Sequence, residues 1–256
     1  MIQLVTWNVN SLKVRLPQLL DWLAVHQPDA VCLQETKLED HNFPHEAIRE
    51  AGYYVLYSGQ KTYNGVAVLS RKPAHETVTA IPGFIDEQKR VLAVTVDGLR
   101  VICVYIPNGE SIGSDKYQYK LKWLAALHHW LKDELIRYPK LALLGDFNIA
   151  PEECDVYDPI IWEDQVMFSP PEREAFQALL KLGLKDSFRL FQQPDKAFTW
   201  WDYRMNAFRQ NRGLRIDHIL LSDALARNCK SCFIDIELRK KEKPSDHAPV
   251  IAEIEG

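Results

Sequence analysis

The sequence lacks the features that mark membrane, secreted and repetitive proteins. No run approaches the ~20 apolar residues that a membrane-spanning helix needs. The start, MIQLVTWNVN, has neither the basic nor the apolar segment of a signal peptide. The five cysteines are odd in number and follow no disulfide-like spacing, and no repeat or Gly/Ser-rich linker is present. We therefore expect a cytoplasmic protein with reduced thiols.

A strong excess of charge of either sign is also missing. Lysine and arginine total 31 against 35 acidic residues, which gives a net charge of −4 and a pI near 6.1. The net charge therefore gives no indication of a nucleic-acid partner. It does not exclude one, because several of the acidic residues counted here could be metal ligands. With 256 residues, 46% of them hydrophobic, the chain can build a sizeable core, and we expect one domain over residues 1–256.

Short apolar runs rich in β-branched residues predict many strands. The runs are Ile2–Trp7, Ala30–Gln34, Tyr53–Tyr57, Gly65–Ser70, Val91–Val96, Arg100–Tyr105, Leu141–Gly145, Asp217–Leu221, Cys232–Leu238 and Pro249–Ile254. Helical spacing predicts helices over residues 16–26, 116–136 and 171–182, and residues 150–170 form the longest irregular stretch. Many strands with few helices favour an α/β fold of two packed mixed β-sheets flanked by helices.

Four polar clusters lie at the ends of these runs. They are Thr6-Trp7-Asn8, Leu33-Gln34-Glu35-Thr36, Gly145-Asp146-Phe147-Asn148 and Ser245-Asp246-His247. Folded chains place active-site groups on loops at strand ends, so we expect these side chains to meet. Carboxylates and amides with one histidine suit a hard divalent cation and a water to be activated.

Each cluster also has an ordinary interpretation when it is taken alone. Ser-Asp-His and Gly-Asp-Phe-Asn are common in simple turns, and Glu35 suits a solvated strand end. Asp217, which could hold the His247 imidazole in one tautomer, could instead pair with Arg215 or Arg212. All of these alternatives would have to hold together for the site to be absent, so the combination is specific although no single element is.

Six motifs extend these clusters along the whole chain, in the order Trp7-Asn8-Val9-Asn10-Ser11, Leu33-Gln34-Glu35-Thr36-Lys37, Tyr105-Ile106-Pro107-Asn108-Gly109, Gly145-Asp146-Phe147-Asn148-Ile149, Gly213-Leu214-Arg215-Ile216-Asp217 and Ser245-Asp246-His247-Ala248-Pro249. In these motifs the chain resembles the exonuclease III family of DNA-repair nucleases and AP endonucleases, within the endonuclease/exonuclease/phosphatase superfamily. The resemblance implies a four-layered α/β sandwich with the active site at one edge of the paired sheets.

The resemblance also implies roles for single residues. Mg²⁺ or Mn²⁺ would be held by Glu35 with Asn8 and Asp246 nearby, and whether a second metal acts at Asp146, Asn148 and His247 is left open. The implied catalytic residues are Tyr105, Asp146, Asn148, Asp217 and His247. Tyr105 and Asn148 would bind the phosphate, and Asp146 would lie at the attacking water or the leaving group. His247, paired with Asp217, would stabilise the developing charge or take the proton.

Basic side chains are the expected source of phosphate contacts. They cluster at Lys13 and Arg15, Lys89 and Arg90, Lys116, Lys120 and Lys122, Arg204 to Arg215, and Arg239 to Lys241. A charge run is usually a solvated face. By resemblance Arg90 and Lys116 match basic positions of the family and Asn108 lies close to the phosphate, while Lys13 could face the substrate from beside the Asn8 strand end.

An aromatic segment, Phe198 to Arg204, carries the remaining prediction. One of its two tryptophans is expected in the core. By resemblance Trp200, Leu214 and Ile216 line a small apolar pocket that accepts a sugar without its base. Met167, in the loop before residues 170–173, is bulkier than the residues expected there in the family. We hypothesise that Met167 narrows this pocket and shifts activity towards trimming of 3′ ends.

The expected function is a Mg²⁺-dependent DNA-repair phosphodiesterase with 3′-phosphodiesterase, 3′→5′ exonuclease and AP endonuclease activities in unknown proportion. The expected partner is duplex DNA with an abasic site, a nick or a blocked 3′ end, bound by a monomer associated with the nucleoid. Two alternatives remain open: a phosphoesterase with a non-DNA substrate such as an inositol phosphate, and a catalytically idle nucleic-acid-binding module. The Trp200 pocket, Lys116 and the Tyr105 motif argue against the former, and the intact catalytic set argues against the latter.

Overall fold

Two six-stranded β-sheets pack face to face in the computed structural model, which describes residues 1–256. The strands are β1 (Ile2–Asn8), β2 (Ala30–Gln34), β3 (Tyr54–Ser58), β4 (Val66–Ser70), β5 (Ala74–Val78), β6 (Val91–Val96), β7 (Leu99–Tyr105), β8 (Leu141–Asp146), β9 (Leu184–Asp186), β10 (Asp217–Ser222), β11 (Cys229–Ile234) and β12 (Val250–Ile254). The first sheet has the order β11-β12-β1-β2-β4-β3, and the second has the order β5-β6-β7-β8-β10-β9. Both sheets are mixed, because β1 runs parallel to β2 and β7 runs parallel to β8 whereas the other neighbours are antiparallel.

Helices cover the outer face of each sheet. The helices of the chain are α1 (Leu12–His26), α2 (His45–Glu50), α3 (Asp115–Arg137), α4 (Pro159–Trp162), α5 (Pro170–Lys181) and α6 (Asp223–Ala226). Helices α1 and α2 pack on the first sheet, and α3 and α5 pack on the second. The layer order is therefore helix, sheet, sheet, helix, which confirms the predicted four-layered α/β sandwich. None of the helices combines the length and the hydropathy needed to cross a membrane.

Alternating side chains along the strands build the apolar layers. On β1, Leu4 faces the core between the sheets, whereas Val5 and Trp7 face α1. On β8, Leu144 faces the core between the sheets and Leu143 faces α3 and α5. Strands that are buried on both faces read as continuous apolar runs, which is why these strands could be predicted from composition and length.

The elements differ from the sequence prediction in three places. The predicted strand Cys232–Leu238 is wrong in its second half, because β11 ends at Ile234 and residues 236–240 form a 3₁₀ helix. Strands β5 and β9 do not follow from the pattern, since their sequences AHETV and LKD are mostly polar. The longest irregular stretch is residues 191–216; residues 150–170 contain α4 and a 3₁₀ turn.

Candidate active site

Strand ends from both sheets meet at one edge of the sandwich. The parallel register of β1 and β2 brings Asn8 and Glu35 to the same edge. In the second sheet Asp146, at the end of β8, lies in register with Tyr105 on one side and Asp217 on the other. The convergence that the sequence predicts follows directly from this topology, since parallel neighbours end together and an antiparallel neighbour begins where they end.

Asn8 links two carboxylates at the centre of the site. Its Nδ2 donates to Oε1 of Glu35 and to Oδ2 of Asp146, both at 2.8 Å, while its Oδ1 accepts from the backbone N–H of Asn10. Nε2 of His247 lies 3.7 Å from the same Oδ2 of Asp146. These contacts favour the interpretation that Asn8 orients the two carboxylates, because its own oxygen is already engaged.

His247 is held from several directions. Its Nδ1 lies 2.8 Å from Oδ2 of Asp217, its backbone N–H donates to Oγ of Ser245, and its carbonyl accepts from the indole N–H of Trp7. Burial lowers the imidazole pKa, but the carboxylates of Asp217 and Asp146 outweigh this and raise the pKa of His247 to about 10. The ring is therefore protonated at neutral pH and donates from Nδ1 to Asp217.

The other ionisable groups of the site are shifted by burial and by one another. Burial raises the pKa of Asp146, and the carboxylate of Asp217 adds to the effect. Burial also opposes ionisation of Glu35, but Lys37, whose Nζ lies 2.8 Å from Oε2, helps hold the Glu35 pKa below its usual range. Burial together with Glu35 and Asp146 raises the pKa of Tyr105 well above its usual value, so the phenol remains a hydrogen-bond donor.

The donor set fits a hard divalent cation. One ligand atom from each of Glu35, Asp146 and His247 lies within 4.8 Å of the others. In addition, Oδ1 of Asp217 is buried without a hydrogen-bond partner, although Oδ2 of the same carboxylate meets His247. Carboxylate oxygens are the ligands that Mg²⁺ and Mn²⁺ prefer, and a cation would supply the positive charge that these acids lack.

Asp246 lies next to this set and not within it. Its Oδ1 accepts from Nδ2 of Asn10 at 2.9 Å, and its Oδ2 accepts from Nε1 of Trp200 at 3.0 Å. Both oxygens are thus engaged by neutral donors, and a direct role of Asp246 as a metal ligand stays a prediction. The same contacts place Trp200 beside the site, as the resemblance implies.

Two asparagines lie on the other side of Asp146. Nδ2 of Asn108 donates to Oδ1 of Asn148 at 3.1 Å, and the backbone N–H of Asn148 donates to Oδ1 of Asp146 at 2.9 Å. Asn148 has a left-handed backbone conformation with φ of 49°, which asparagine adopts more readily than most residues. Asn108 is exposed and lines a polar cavity, whereas Asn148 is buried.

A small apolar cluster adjoins the catalytic groups. Leu214, Ile216 and Met167 are buried in it, and Trp200 is half-buried against it. Trp201 instead packs in a separate core cluster with Phe198, as expected for one of the two tryptophans. Met167 is therefore in the same cluster as the three predicted pocket residues.

The predicted DNA-contact residues fall into two places. Arg90, Asn108 and Lys116 line a polar cavity of about 720 Å³ beside Tyr105, where the Arg90 guanidinium lies 4.7 Å from the Tyr105 ring centre. Lys116 is exposed and pairs with Glu110 at 3.1 Å. Lys13 is exposed on the first turn of α1 and does not line this cavity.

Several residues have roles that the motifs alone did not reveal. Lys37 and Asn10 stand in the quoted motifs but contact Glu35 and Asp246 directly. Five members of the basic clusters are buried: Arg15, Arg90, Lys120, Arg215 and Arg239. Lys120 and Arg215, with exposures of 0% and 1%, have no access to DNA, whereas Arg90 lines the polar cavity. For Lys120 the helical spacing indicates burial, because the residue lies three positions after Tyr117 and four before Leu124 on the buried face of α3.

Comparisons with known proteins agree with this geometry. Residues 5–247 match the Endonuclease/Exonuclease/phosphatase family. The chain is 37% identical to exodeoxyribonuclease III of Haemophilus influenzae over 98% of this chain and 99% of that protein. It is 48% identical, with a TM-score of 0.98 and complete coverage of both chains, to a Neisseria 3′ phosphatase solved with product DNA hairpin. An AP endonuclease from Archaeoglobus fulgidus is 36% identical, with a TM-score of 0.96 and complete coverage of both chains.

Proposed function

Because the chain belongs to the Endonuclease/Exonuclease/phosphatase family, and within it to the exonuclease III nucleases, we propose that it is a metal-dependent DNA-repair phosphodiesterase. The observation that carries the proposal is the buried constellation of Glu35, Asp146 and His247, with Asp217 behind the imidazole. The twelve strands pack around shared cores, which supports a single catalytic domain over residues 1–256. A monomeric state and a location at the nucleoid stay predictions.

The metal is proposed to be Mg²⁺ or Mn²⁺, held by Glu35 and Asp146 with Asn8 orienting both carboxylates. Asp246 stays a candidate for a further ligand. A second site at Asp146, Asn148 and His247 also stays a prediction, and it requires His247 to lose a proton, because an imidazolium has no free lone pair. When bound, the cation neutralises phosphate charge and makes a water more acidic. Its oxygen-donor preference agrees with the carboxylates present.

The protein groups divide the remaining chemistry. Asp146, whose pKa burial raises, is suited to accept the proton of the attacking water while the phosphorus–oxygen bond breaks. The His247 imidazolium, fixed by Asp217, faces the developing negative charge of the phosphate. The Tyr105 phenol stays protonated and donates to a phosphate oxygen, and Asn148 supplies an amide on the same side. Asp146 acting on the leaving oxygen instead remains the alternative role for that residue.

The substrate is proposed to be duplex DNA that carries a nick, a blocked 3′ end or an abasic site. Phosphates upstream or downstream of the break would meet Arg90, Asn108 and Lys116 along the polar cavity, and Lys13 from α1. Lys116 has to leave Glu110 to do so, which costs little because that ion pair is exposed. A Neisseria relative that removes 3′ phosphates supports activity at 3′ ends.

The direct test uses four labelled duplexes with Mg²⁺. They carry a 3′ phosphate at a nick, a blocked 3′ end, an internal abasic site, or an undamaged recessed 3′ end. We expect product from the damaged 3′ ends, its loss in EDTA, and binding that weakens steeply with salt because phosphate contacts dominate. Inositol polyphosphate serves as the competing substrate. Hydrolysis of that compound with no product from any duplex would reject the proposal.

Met167 is proposed to limit cleavage at internal abasic sites. Its side chain packs against Leu214 and Ile216, and its Sδ lies 3.6 Å from Nδ2 of Asn108, so it fills space where a baseless sugar would enter. Met167→Ser should raise abasic-site cleavage relative to 3′-phosphate removal by about 10-fold or more, the scale of a few methylene groups in a pocket. Met205→Ser, at an exposed methionine, is the matched control. Unchanged abasic-site cleavage would reject the role of Met167.

A further inference from the structure

A lysine and a glutamate beside the active site are fully buried as an ion pair. Lys120 comes from α3 and Glu172 from the first turn of α5, both side chains have 0% exposure, and Nζ of Lys120 contacts Oε1 of Glu172. Burial lowers the pKa of Lys120, and Glu172 opposes this shift. Charges removed from water in this way are tolerated only when their donors and acceptors are all engaged.

The contacts of the pair lead to three active-site segments. Besides Glu172, the Lys120 ammonium donates to the backbone carbonyls of Asn108 at 3.0 Å and Asn148 at 2.7 Å. Since an ammonium has three donors, every one of them is used. Oε1 of Glu172 also accepts from the backbone N–H of Met167 at 3.0 Å, and Oε2 accepts from the N–H and hydroxyl of Ser169.

Two of the tied residues have unusual backbone conformations. Asn148 has φ of 49° and Met167 has φ of 76°, and residues in this left-handed region persist only where their surroundings hold them. The pair binds the carbonyl of the first and the N–H of the second. Gly109, with φ of 96°, lets the loop after β7 lie on the lysine stem, because a Cβ there would be 3.2 Å from Cδ of Lys120.

We propose that Lys120 and Glu172 are positioning residues for the hydrolytic site. They set where Asn108 and Asn148 meet the phosphate, and they fix how far Met167 closes the apolar pocket, although neither touches DNA. This inference rests on the proposed function, and it assigns to one buried pair the control of both turnover and the choice between 3′-end trimming and internal cleavage.

A second buried pair in the same protein provides the matched control. Arg100 and Glu134 join β7 to α3 at 2.7 Å, with side-chain exposures of 1% and 3%. The further contacts of Arg100 are with the carbonyl of Glu76 and the hydroxyl of Thr95, none of which belongs to the site. Removal of one partner from either pair leaves a buried charge unpaired. Only Lys120 and Glu172, however, connect to active-site loops.

The experiment compares Lys120→Met, Glu172→Met, the double variant, and Glu134→Gln in the full-length protein with Mg²⁺. Replacing both partners by apolar groups of similar volume restores stability in several buried pairs, whereas removing one does not. We expect the double variant to unfold at a higher temperature than either single variant, because no charge is left unpaired, but to keep a kcat on 3′-phosphate DNA lowered about 10- to 100-fold, the effect of a small misplacement. KM should change less, and abasic-site cleavage should rise relative to 3′-phosphate removal. Glu134→Gln should lower the unfolding temperature with kcat and the activity ratio unchanged.

A milder variant keeps the test decisive if the methionine variants do not fold. Ser169→Ala removes the hydroxyl that donates to Glu172 and accepts from Tyr117, without unpairing a charge, and we expect kcat to fall about threefold with the same direction of change in the activity ratio. The inference is overturned if kcat recovers together with stability in the double variant, or if Ser169→Ala leaves kcat and the ratio unchanged. A wild-type protein inactive on every duplex would instead reject the proposed function, so the two failures are distinct.

Discussion

Two histidines, His247 and His218, are buried beside strand β10 and have opposite charge states. Their exposures are 4% and 1%. The carboxylates of Asp217 and Asp146 overcome the effect of burial and raise the pKa of His247 to about 10. Burial, reinforced by the Arg215 guanidinium, lowers the pKa of His218 to about 3. At neutral pH the same side chain is thus a cation in one cluster and neutral in the other.

Strand geometry separates the two clusters. Asp217 and His218 are successive residues of β10, and successive strand side chains point to opposite faces. Asp217 meets His247 at 2.8 Å, whereas Nδ1 of His218 lies 3.0 Å from the Arg215 guanidinium and Nε2 lies 2.8 Å from the Ile149 carbonyl. Because a guanidinium only donates, Nδ1 must accept and Nε2–H must donate, so one neutral tautomer is fixed.

The balance of charge shows what each cluster is for. Arg215 pairs with Asp155 at 2.6 Å and with Asp186 at 2.8 Å, and Arg189 also pairs with Asp155, so two bases match two acids in the His218 cluster. In the His247 cluster three acids, Glu35, Asp146 and Asp217, are buried or partly buried with fewer cations, and Oδ1 of Asp217 has no partner. A matched cluster stabilises the fold. An unmatched acidic cluster is suited to an external cation.

The largest expected effect separates the histidines by activity. His247→Gln should lower kcat about 10²–10⁴-fold, because the variant cannot carry the positive charge that faces the phosphate. His218→Gln should leave kcat within a few-fold of wild type. Single-turnover hydrolysis of 3′-phosphate DNA measures both. Equal losses in the two variants would contradict the assignment of separate roles.

The next effect concerns stability. Arg215→Met should lower the free energy of unfolding by about 3–5 kcal/mol, because it leaves Asp186 buried without a cation and Asp155 with only the partly exposed Arg189. Arg189 also pairs with Asp155 but is 31% exposed, and Arg189→Met should cost no more than about 1 kcal/mol. Denaturant unfolding measures the two values. If they are the same, the matched cluster does not stabilise the fold in the way described.

The unmatched cluster was predictable from sequence and the matched one was not. Glu35, Asp146 and His247 stand in short motifs at the ends of apolar strands, and the combination of these motifs predicts the site although each one alone also has an ordinary interpretation. Asp155 and Arg215 are separated by sixty positions and meet only after folding. A pair so far apart in the chain gives no local sequence pattern. A buried arginine such as Arg215 therefore cannot be distinguished from a surface arginine by sequence alone.

The same reasoning explains which parts of the fold could be predicted. Strands such as β2 and β8 are apolar throughout because both faces are covered. Strand β9 exists only through its pairing with β10, and its polar sequence carries no periodic signal. Lys120 stands in a basic cluster by charge alone, whereas its place in the helical period indicates burial.

Metal binding should distinguish the two acidic groups of the chain. At a hundredfold excess over Kd, Mg²⁺ should raise the free energy of unfolding by ~2.7 kcal/mol, and EDTA should remove the gain. Glu35→Gln should abolish this response. Glu152 lies in a second acidic group with Cys154 and Asp155, where Arg189 and Arg215 already supply positive charge, so Glu152→Gln should respond like wild type. If the Mg²⁺-dependent gain in stability were lost only in Glu152→Gln, the metal would bind at the second acidic group and not at Glu35.

A final difference between the two histidines is the contribution of His218 to the pH dependence of stability. An unfolded histidine takes up a proton near pH 6.5, whereas folded His218 stays neutral down to about pH 3. Between these values the unfolded state binds one more proton, so the free energy of unfolding falls by up to ~1.4 kcal/mol for each unit that the pH is lowered. This contribution is absent above pH 6.5, where neither state is protonated.

His218→Gln isolates that slope, because the carboxylates that titrate in the same range are common to both proteins. The glutamine amide can still donate to the Ile149 carbonyl and accept from Arg215, but it binds no proton. The unfolding free energy of the variant should therefore fall less steeply than that of wild type as the pH is lowered through 6, 5 and 4. His129→Gln, at an exposed position on α3, should follow the wild-type curve. Parallel curves for wild type and His218→Gln would mean that His218 is protonated in the folded protein, and Arg215 would then face a second cation.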